Sequence, residues 1–244
     1  MKENKYDNIN FFNQYKQMSR SIKGLEAAGE WHVVKKMLPN LENKRVLDLG
    51  CGFGWHCRYA IDEGAKSVVG IDISERMLNE AKKNTESKLI EYIKMPIEDI
   101  EYPEDTFDVV ISSLALHYIE SCTEVFNKVN TCLIKGGNFI FSVEHPIFTS
   151  NEKQDWNYDE EGNILHWPVD NYFYEGIRKT NFLGESVTKY HKTVTTYVNS
   201  LIKAGFEIIE ITEPEPDSKL LNTVAGMKDE LRRPMFLIIS ARKK

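Results

Sequence analysis

The sequence predicts an α/β fold, a doubly wound sheet of seven mostly parallel strands flanked by helices. Three observations carry this expectation. Apolar runs of strand length at 46–49, 68–72, 109–112 and 139–143 alternate with helix-compatible segments, the pattern of successive β-α-β units. The first run stops at a turn with glycine at 50, 52 and 54, and the second stops at an acid, Asp72.

Glycines at those positions let a ligand approach the main chain, because a Cβ would fill the space or forbid the backbone angles. The first amides of the helix opening near Trp55 would favour a negative group such as a carboxylate. Asp72, at the end of the next strand on the same sheet edge, can accept hydrogen bonds from both hydroxyls of a ribose. The loop therefore reads as a site for a nucleotide-like molecule. Its spacing is G-x-G-x-G followed by Trp55, whereas a dinucleotide fingerprint needs G-x-G-x-x-G.

Four stretches, VLDLGCGFG at 46–54, GIDIS at 70–74, FDVVISSLALHYI at 107–119 and CLIKGGNFIFSV at 132–143, resemble in the same order the motifs of class I S-adenosylmethionine (SAM) dependent methyltransferases of the small-molecule, methyltransferase-11-like type. The resemblance covers roughly residues 44–146. It implies transfer of the SAM methyl group to an N, O, S or C atom of a small-molecule acceptor, leaving S-adenosylhomocysteine (SAH). It also implies cofactor contacts at Asp48, Gly50, Cys51, Gly52, Trp55, Asp72, Ile73 and Met77, with Ser113, Leu114 and His117 opposite Gly50. Where the family places an acid that contacts the adenine amine, this chain has Pro96, which leaves the backbone of Ile97 or the side chain of Glu98. Two alternatives stand beside this reading. One is a nucleotide-dependent oxidoreductase, for which Trp55 occupies the place of the third glycine; the other is a non-catalytic SAM-binding partner protein.

With 244 residues, 41% hydrophobic and 28% charged, the chain suits a single globular domain with one sizeable core or one insertion. A net charge of −6 and the lack of a basic stripe argue against nucleic acid as partner. The four cysteines, at 51, 57, 122 and 132, have no metal-ligand spacing, so no metal is expected and free thiols in a reduced, cytoplasmic setting are the default. Residues 1–10 are polar and no apolar run is long enough to span a bilayer, so neither export nor membrane anchoring is expected.

Within the single domain 1–244, residues 1–40 read as an N-terminal helical lid with two helices between 11 and 38, closed by Pro39 and Asn40. In the resembling family such segments often fold over the cofactor; Tyr15, Arg20 and Trp31 are the candidates, Arg20 either as a bidentate donor to the methionine carboxylate or as a solvated charge. Residues 41–147 form the SAM-binding core. Ser74 should cap a helix running to about Asn84, residues 89–95 read as the third strand, and 101–106 as an acidic, proline-containing turn. The fourth strand leads to His117, and the fifth ends in Glu144 and His145, on the edge where ligands of open α/β sheets bind. A Glu144–His145 pair could orient a substrate amine or act as a base; the structural alternative is that both bond to backbone before Pro146.

Residues 148–192 exceed what the minimal fold needs, and a length of this kind usually serves function. The segment is rich in aromatics and reads as a cap carrying a β-hairpin, 171–182 and 185–193, around Leu183 and Gly184. Its aromatic walls would suit an apolar or planar acceptor and exclude water, with Tyr190 and His191 reaching inward; a homodimer contact is the alternative. Residues 193–244 supply a helix stopped by Gly205 and an antiparallel hairpin of the sixth and seventh strands, with 228–233 a solvated charged run. If the acceptor needs deprotonation, His117, His145 and His191 are the candidate bases, in that order.

Overall fold

The computed structural model describes residues 4–244; the polar stretch 1–10 falls outside it at residues 1–3. Among its described residues the N-terminal segment holds three short α-helices rather than two: α1 (Ile9–Lys16), α2 (Ser19–Lys23) and α3 (Trp31–Met37). Gly24, at φ 68°, breaks the run after α2, because a left-handed residue cannot continue a right-handed helix.

The core then alternates as β1 (Arg45–Leu49), α4 (Trp55–Asp62), β2 (Ser67–Asp72), α5 (Glu75–Lys83), β3 (Ile90–Lys94) and β4 (Phe107–Ser113). It continues through α6 (Cys122–Cys132) and β5 (Leu133–Glu144) to the four-residue α7 (Pro146–Thr149). The insertion carries two hairpins, β6 (Asn157–Tyr158) with β7 (Ile164–His166), and β8 (Gly176–Phe182) with β9 (Glu185–His191). The second was expected, although its first strand begins at Gly176 instead of 171; Leu183 and Gly184 both have positive φ, as a two-residue turn with the right twist requires. The chain ends with α8 (Val194–Lys203), β10 (Phe206–Thr212), α9 (Ser218–Thr223) and β11 (Phe236–Lys243).

The main sheet has seven strands in the order β10-β11-β5-β4-β1-β2-β3, parallel except for the two ladders made by β11. Successive side chains of β1 serve opposite faces, as pleating demands. Leu47 and Leu49 pack with Phe126, Val129, Tyr197 and Leu201 of α6 and α8; Val46 packs with Trp31, Val34, Cys57 and Leu78 of α3, α4 and α5. Each fully buried side chain of this size contributes about 1.5–3 kcal/mol. The chain runs outward from β1 to β2 and β3, then returns to β4 on β1's other side. The carboxyl ends of β1 and β4 thus flank the point where the winding direction reverses, the customary position of a ligand crevice.

Candidate active site

At the carboxyl end of β1 the backbone turns through Gly50 (φ 75°) and Gly52 (φ 53°). The amides of Gly50 and Cys51 both donate to the Ile71 carbonyl at 2.9 Å. Asp72 then ties the turn to the end of β2: Oδ2 accepts the Gly52 amide at 2.9 Å and Oδ1 the Ser74 amide at 2.8 Å. Each oxygen keeps acceptor capacity for a further donor. Burial raises the Asp72 carboxyl to about 6 despite these bonds. Asp48 is more deeply placed, accepting the Cys57 thiol on Oδ2 at 3.2 Å, and burial raises it to about 7.

In front of this turn lies a cavity of about 300 Å³. Gly50, Gly52, Asp72, Ile73 and Met77 form one side of it, continued by Pro96, Ile97 and Glu98 after β3. Ser113, Leu114 and His117 line it from the end of β4, and Tyr15 and Arg20 from the N-terminal segment. A smaller recess of about 60 Å³ shares Tyr15, Arg20, Gly50, Gly52 and Ser113 and adds Cys51 and Trp55. Asp48, His145 and His191 line neither space, and Trp31 packs instead on His56 and Tyr59.

The N-terminal segment is fastened over the ends of the strands. Asp7 Oδ1 accepts the Ser74 hydroxyl at 2.6 Å and the Arg76 amide at 3.1 Å, and Tyr6 and Tyr118 share a hydrogen bond of 3.2 Å. Arg20 is not a solvated charge. Its Nη2 lies 3.3 Å from Glu30 Oε1, and Ser113 Oγ donates to the same oxygen at 3.2 Å. Glu30 is only 1% exposed, and its Oε2 has no partner among the described residues; the same holds for Trp55 Nε1 beside the recess. Sequence reasoning missed Glu30, for which the only signal was a lone acid before an apolar helix.

At the far end of the cavity stand Tyr118, His117, Glu144, Phe148, Phe182 and Phe236. His117 is buried, and its Nδ1 accepts the Glu144 amide at 3.4 Å, which leaves Nε2 to carry the proton of the neutral ring. Burial lowers His117 to about 4. Glu144 Oε1 receives Lys189 Nζ of β9 at 2.6 Å and Oε2 receives Gln154 Nε2 at 3.1 Å. Chiefly His117 and Lys189 outweigh burial and hold the Glu144 carboxyl below its ordinary value.

Glu144 and His145 do not act as a pair, because consecutive residues at a strand end point to opposite sides. His145 Nε2 lies 2.8 Å from Glu213, on the other side of the strand end, and its Nδ1 caps α7 by accepting the Ile147 amide. His191 is wholly enclosed between Thr149 Oγ1, 2.7 Å from Nδ1, and the Tyr172 carbonyl, 2.9 Å from Nε2.

Phe148, Phe182 and Val187 are the insertion's contribution to the cavity wall. Most of the other aromatics go elsewhere, and Phe148 also meets Arg233. Phe173 and Tyr174 are 86% and 75% exposed, while Trp156, Trp167 and Phe148 surround Arg233. The run 228–233 is therefore not simply solvated: Arg233 is 8% exposed, with its guanidinium 4.0 Å from the Trp167 ring centre and Nη1 2.9 Å from Glu230. The ring faces and the Glu230 carboxylate together offset part of what the guanidinium loses by leaving water.

Comparison with known proteins agrees with this architecture. A model described as methyltransferase domain matches residues 47–141. A crystal structure of a provisionally named SAM-dependent methyltransferase from Listeria monocytogenes is 58% identical, with a TM-score of 0.86 over 91% of this chain and 99% of that one. A SAM-dependent methyltransferase from Mesorhizobium loti is 43% identical, with a TM-score of 0.84 over 90% of this chain and 100% of that one. A tRNA U34 carboxymethyltransferase of Hahella chejuensis is 28% identical over 75% of this chain, which spans about half (51%) of that protein. With a switch-point cavity, a glycine turn tied to Asp72, and extensive identity to two such structures, the chain belongs to the class I SAM-dependent methyltransferases and is an enzyme of that family.

Proposed function

We propose that the enzyme methylates a small-molecule acceptor held between a lid, residues 4–40, and a cap, residues 148–192. The observation that carries this reading is the lining of the cavity, to which Tyr6 and Tyr15 of one segment and Phe148, Phe182 and Val187 of the other both contribute. A half-open cavity of about 300 Å³, part of which the cofactor must fill, leaves room for a compact acceptor.

The residues present fit SAM. Asp72 has free acceptor capacity for a ribose, and Ile73, Met77 and Ile97 offer apolar contact to an adenine, with Glu98 near its edge. Arg20, with the unpartnered Trp55 Nε1, offers donors for a carboxylate, and the unpartnered Glu30 Oε2 is an acceptor for an ammonium group. When bound, SAM supplies a methyl group made electrophilic by its sulfonium. The protein's own part is alignment and exclusion of water, the latter served by the Tyr6–Tyr118 contact and the apolar cap residues.

Of the three histidines considered, His117 alone is in the chamber, and at about 4 it stays neutral near pH 7, a hydrogen-bonding and shape-giving group instead of a base. The test is SAH formation from SAM with a panel of small acceptors and, separately, with total tRNA. Turnover of small acceptors, with His117→Asn retaining at least a tenth of it, is expected. Turnover of tRNA alone would overturn the small-molecule reading.

A further inference from the structure

The acceptor end of the chamber carries the carboxylate of Glu144, paired with Lys189; the other charged groups of the lining are Lys5, Arg20, Asp72 and Glu98, of which Arg20 faces Glu30. Tyr118, Phe148 and Phe182 line the same cavity as Glu144, with Tyr6 edge-to-face on Tyr118 at a ring separation of 6.2 Å. Lys189 Nζ stands 5.5 Å from the Phe182 ring centre while bonded to Glu144, so this wall already combines a cation, a carboxylate and an aromatic face. We propose that the acceptor is a small amine, bound with its nitrogen against Glu144 and between the aromatic faces. This inference rests on the methyltransferase reading of the same cavity.

The chemistry of the chamber agrees. An alcohol must lose a proton to become a useful nucleophile, and the chamber holds no group poised to take one: His117 is held near 4 and Glu144 below its ordinary value. An amine that enters as its neutral fraction, its ammonium proton already released to water outside the chamber, needs no base there. Its lone pair forms the new N–C bond while the C–S bond breaks, with that electron pair remaining on sulfur. The nitrogen becomes cationic and keeps its protons until the product reaches water. Positive charge thus moves from the sulfur to a nitrogen beside the carboxylate, which attracts it more strongly in the transition state than in the ground state. The aromatic faces attract the same charge.

The experiment is calorimetric titration of the SAH-loaded protein with choline and with 3,3-dimethyl-1-butanol, which has the same shape and no charge. Choline is expected to bind at least tenfold more tightly. Glu144→Gln, which retains a side-chain carbonyl for Lys189, should abolish that preference and leave SAH affinity within twofold. Lys189→Gln, which removes the competing cation, should tighten choline several-fold, a gain that misfolding cannot produce. Equal or weaker binding of choline, including no binding of either probe, in protein that binds SAH normally overturns the amine assignment alone. Failure to bind SAH overturns the cofactor placement beneath it.

Discussion

The two walls of the cavity are held in place by different physics. On the cofactor side the main chain does the positioning: amides of residues 50–52 reach Ile71 and Asp72, and all of these contacts lie at the carboxyl ends of adjacent strands. On the acceptor side, side chains from distant segments meet in pairs, Tyr6 with Tyr118, Glu144 with Lys189, and Arg233 with three aromatic rings. Even the inward face of the β8–β9 hairpin is largely polar, with Arg178, Thr180, Lys189 and His191 buried beside Val187. A backbone-built wall tolerates few changes but does not depend on which loops cover it. A wall built from side-chain pairs can be re-specified by a few substitutions, and this suits the half of the site that selects the acceptor.

The difference can be attacked from both sides. The largest effect is expected for Gly50→Val, whose Cβ would lie 2.5 Å from that of Ala115 at φ 75°. Strain and overpacking together should cost about 2–5 kcal/mol in denaturant titration, with loss of SAH binding. Asp48→Asn should act in the opposite direction. The folded-state carboxyl, at about 7, lies above its ordinary 3.8, so the folded state binds the extra proton and the burden of the buried charge grows as pH rises between those values. That linkage amounts to about 1.4 kcal/mol per pH unit between the two values, and the buried amide offsets part of it. A gain of about 2 kcal/mol at pH 8 that disappears below pH 4 is expected, read from thermal unfolding at both pH values.

On the acceptor side, Arg233→Met should cost about 2–4 kcal/mol through the lost ring contacts and the unpaired Glu230 carboxylate, and leave SAH affinity within about twofold. A strong effect on SAH would mean that the walls are not independent. The smallest change is expected for the exposed pair Phe173→Ser and Tyr174→Ser together, within about 0.5 kcal/mol. A change in sedimentation coefficient in that variant would instead identify these rings as a dimer contact.

How far the sequence reveals each wall follows from the same contrast. The glycine turn, Asp72 and the Ser74 cap are local patterns, and a strand-turn-helix unit fixes their geometry over a few residues. The number of helices before β1 was harder to read, because Gly24 interrupts a segment whose apolar spacing is irregular. The acceptor wall depends on contacts of long sequence separation. Nothing near Lys189 announces Glu144, and Arg233 resembles any surface cation in a charged run until Trp156 and Trp167 are brought around it. The aromatic content of the insertion suggested a greasy lining, whereas most of those rings cage Arg233 or face solvent.

The most direct measurement is calorimetric titration with SAH of the wild-type protein and of Asp72→Ala, each at pH 7.5 and at pH 5. Micromolar binding is expected for the wild type at pH 7.5. It should weaken as pH falls through 6, because a proton then competes with the ribose hydroxyls for the Asp72 carboxylate. The variant should bind at least about 30-fold more weakly at pH 7.5, the loss of two charge-assisted hydrogen bonds, with little pH dependence left. Equal affinity of the two proteins at pH 7.5 would contradict the assignment of Asp72 and, with it, the cofactor wall as described.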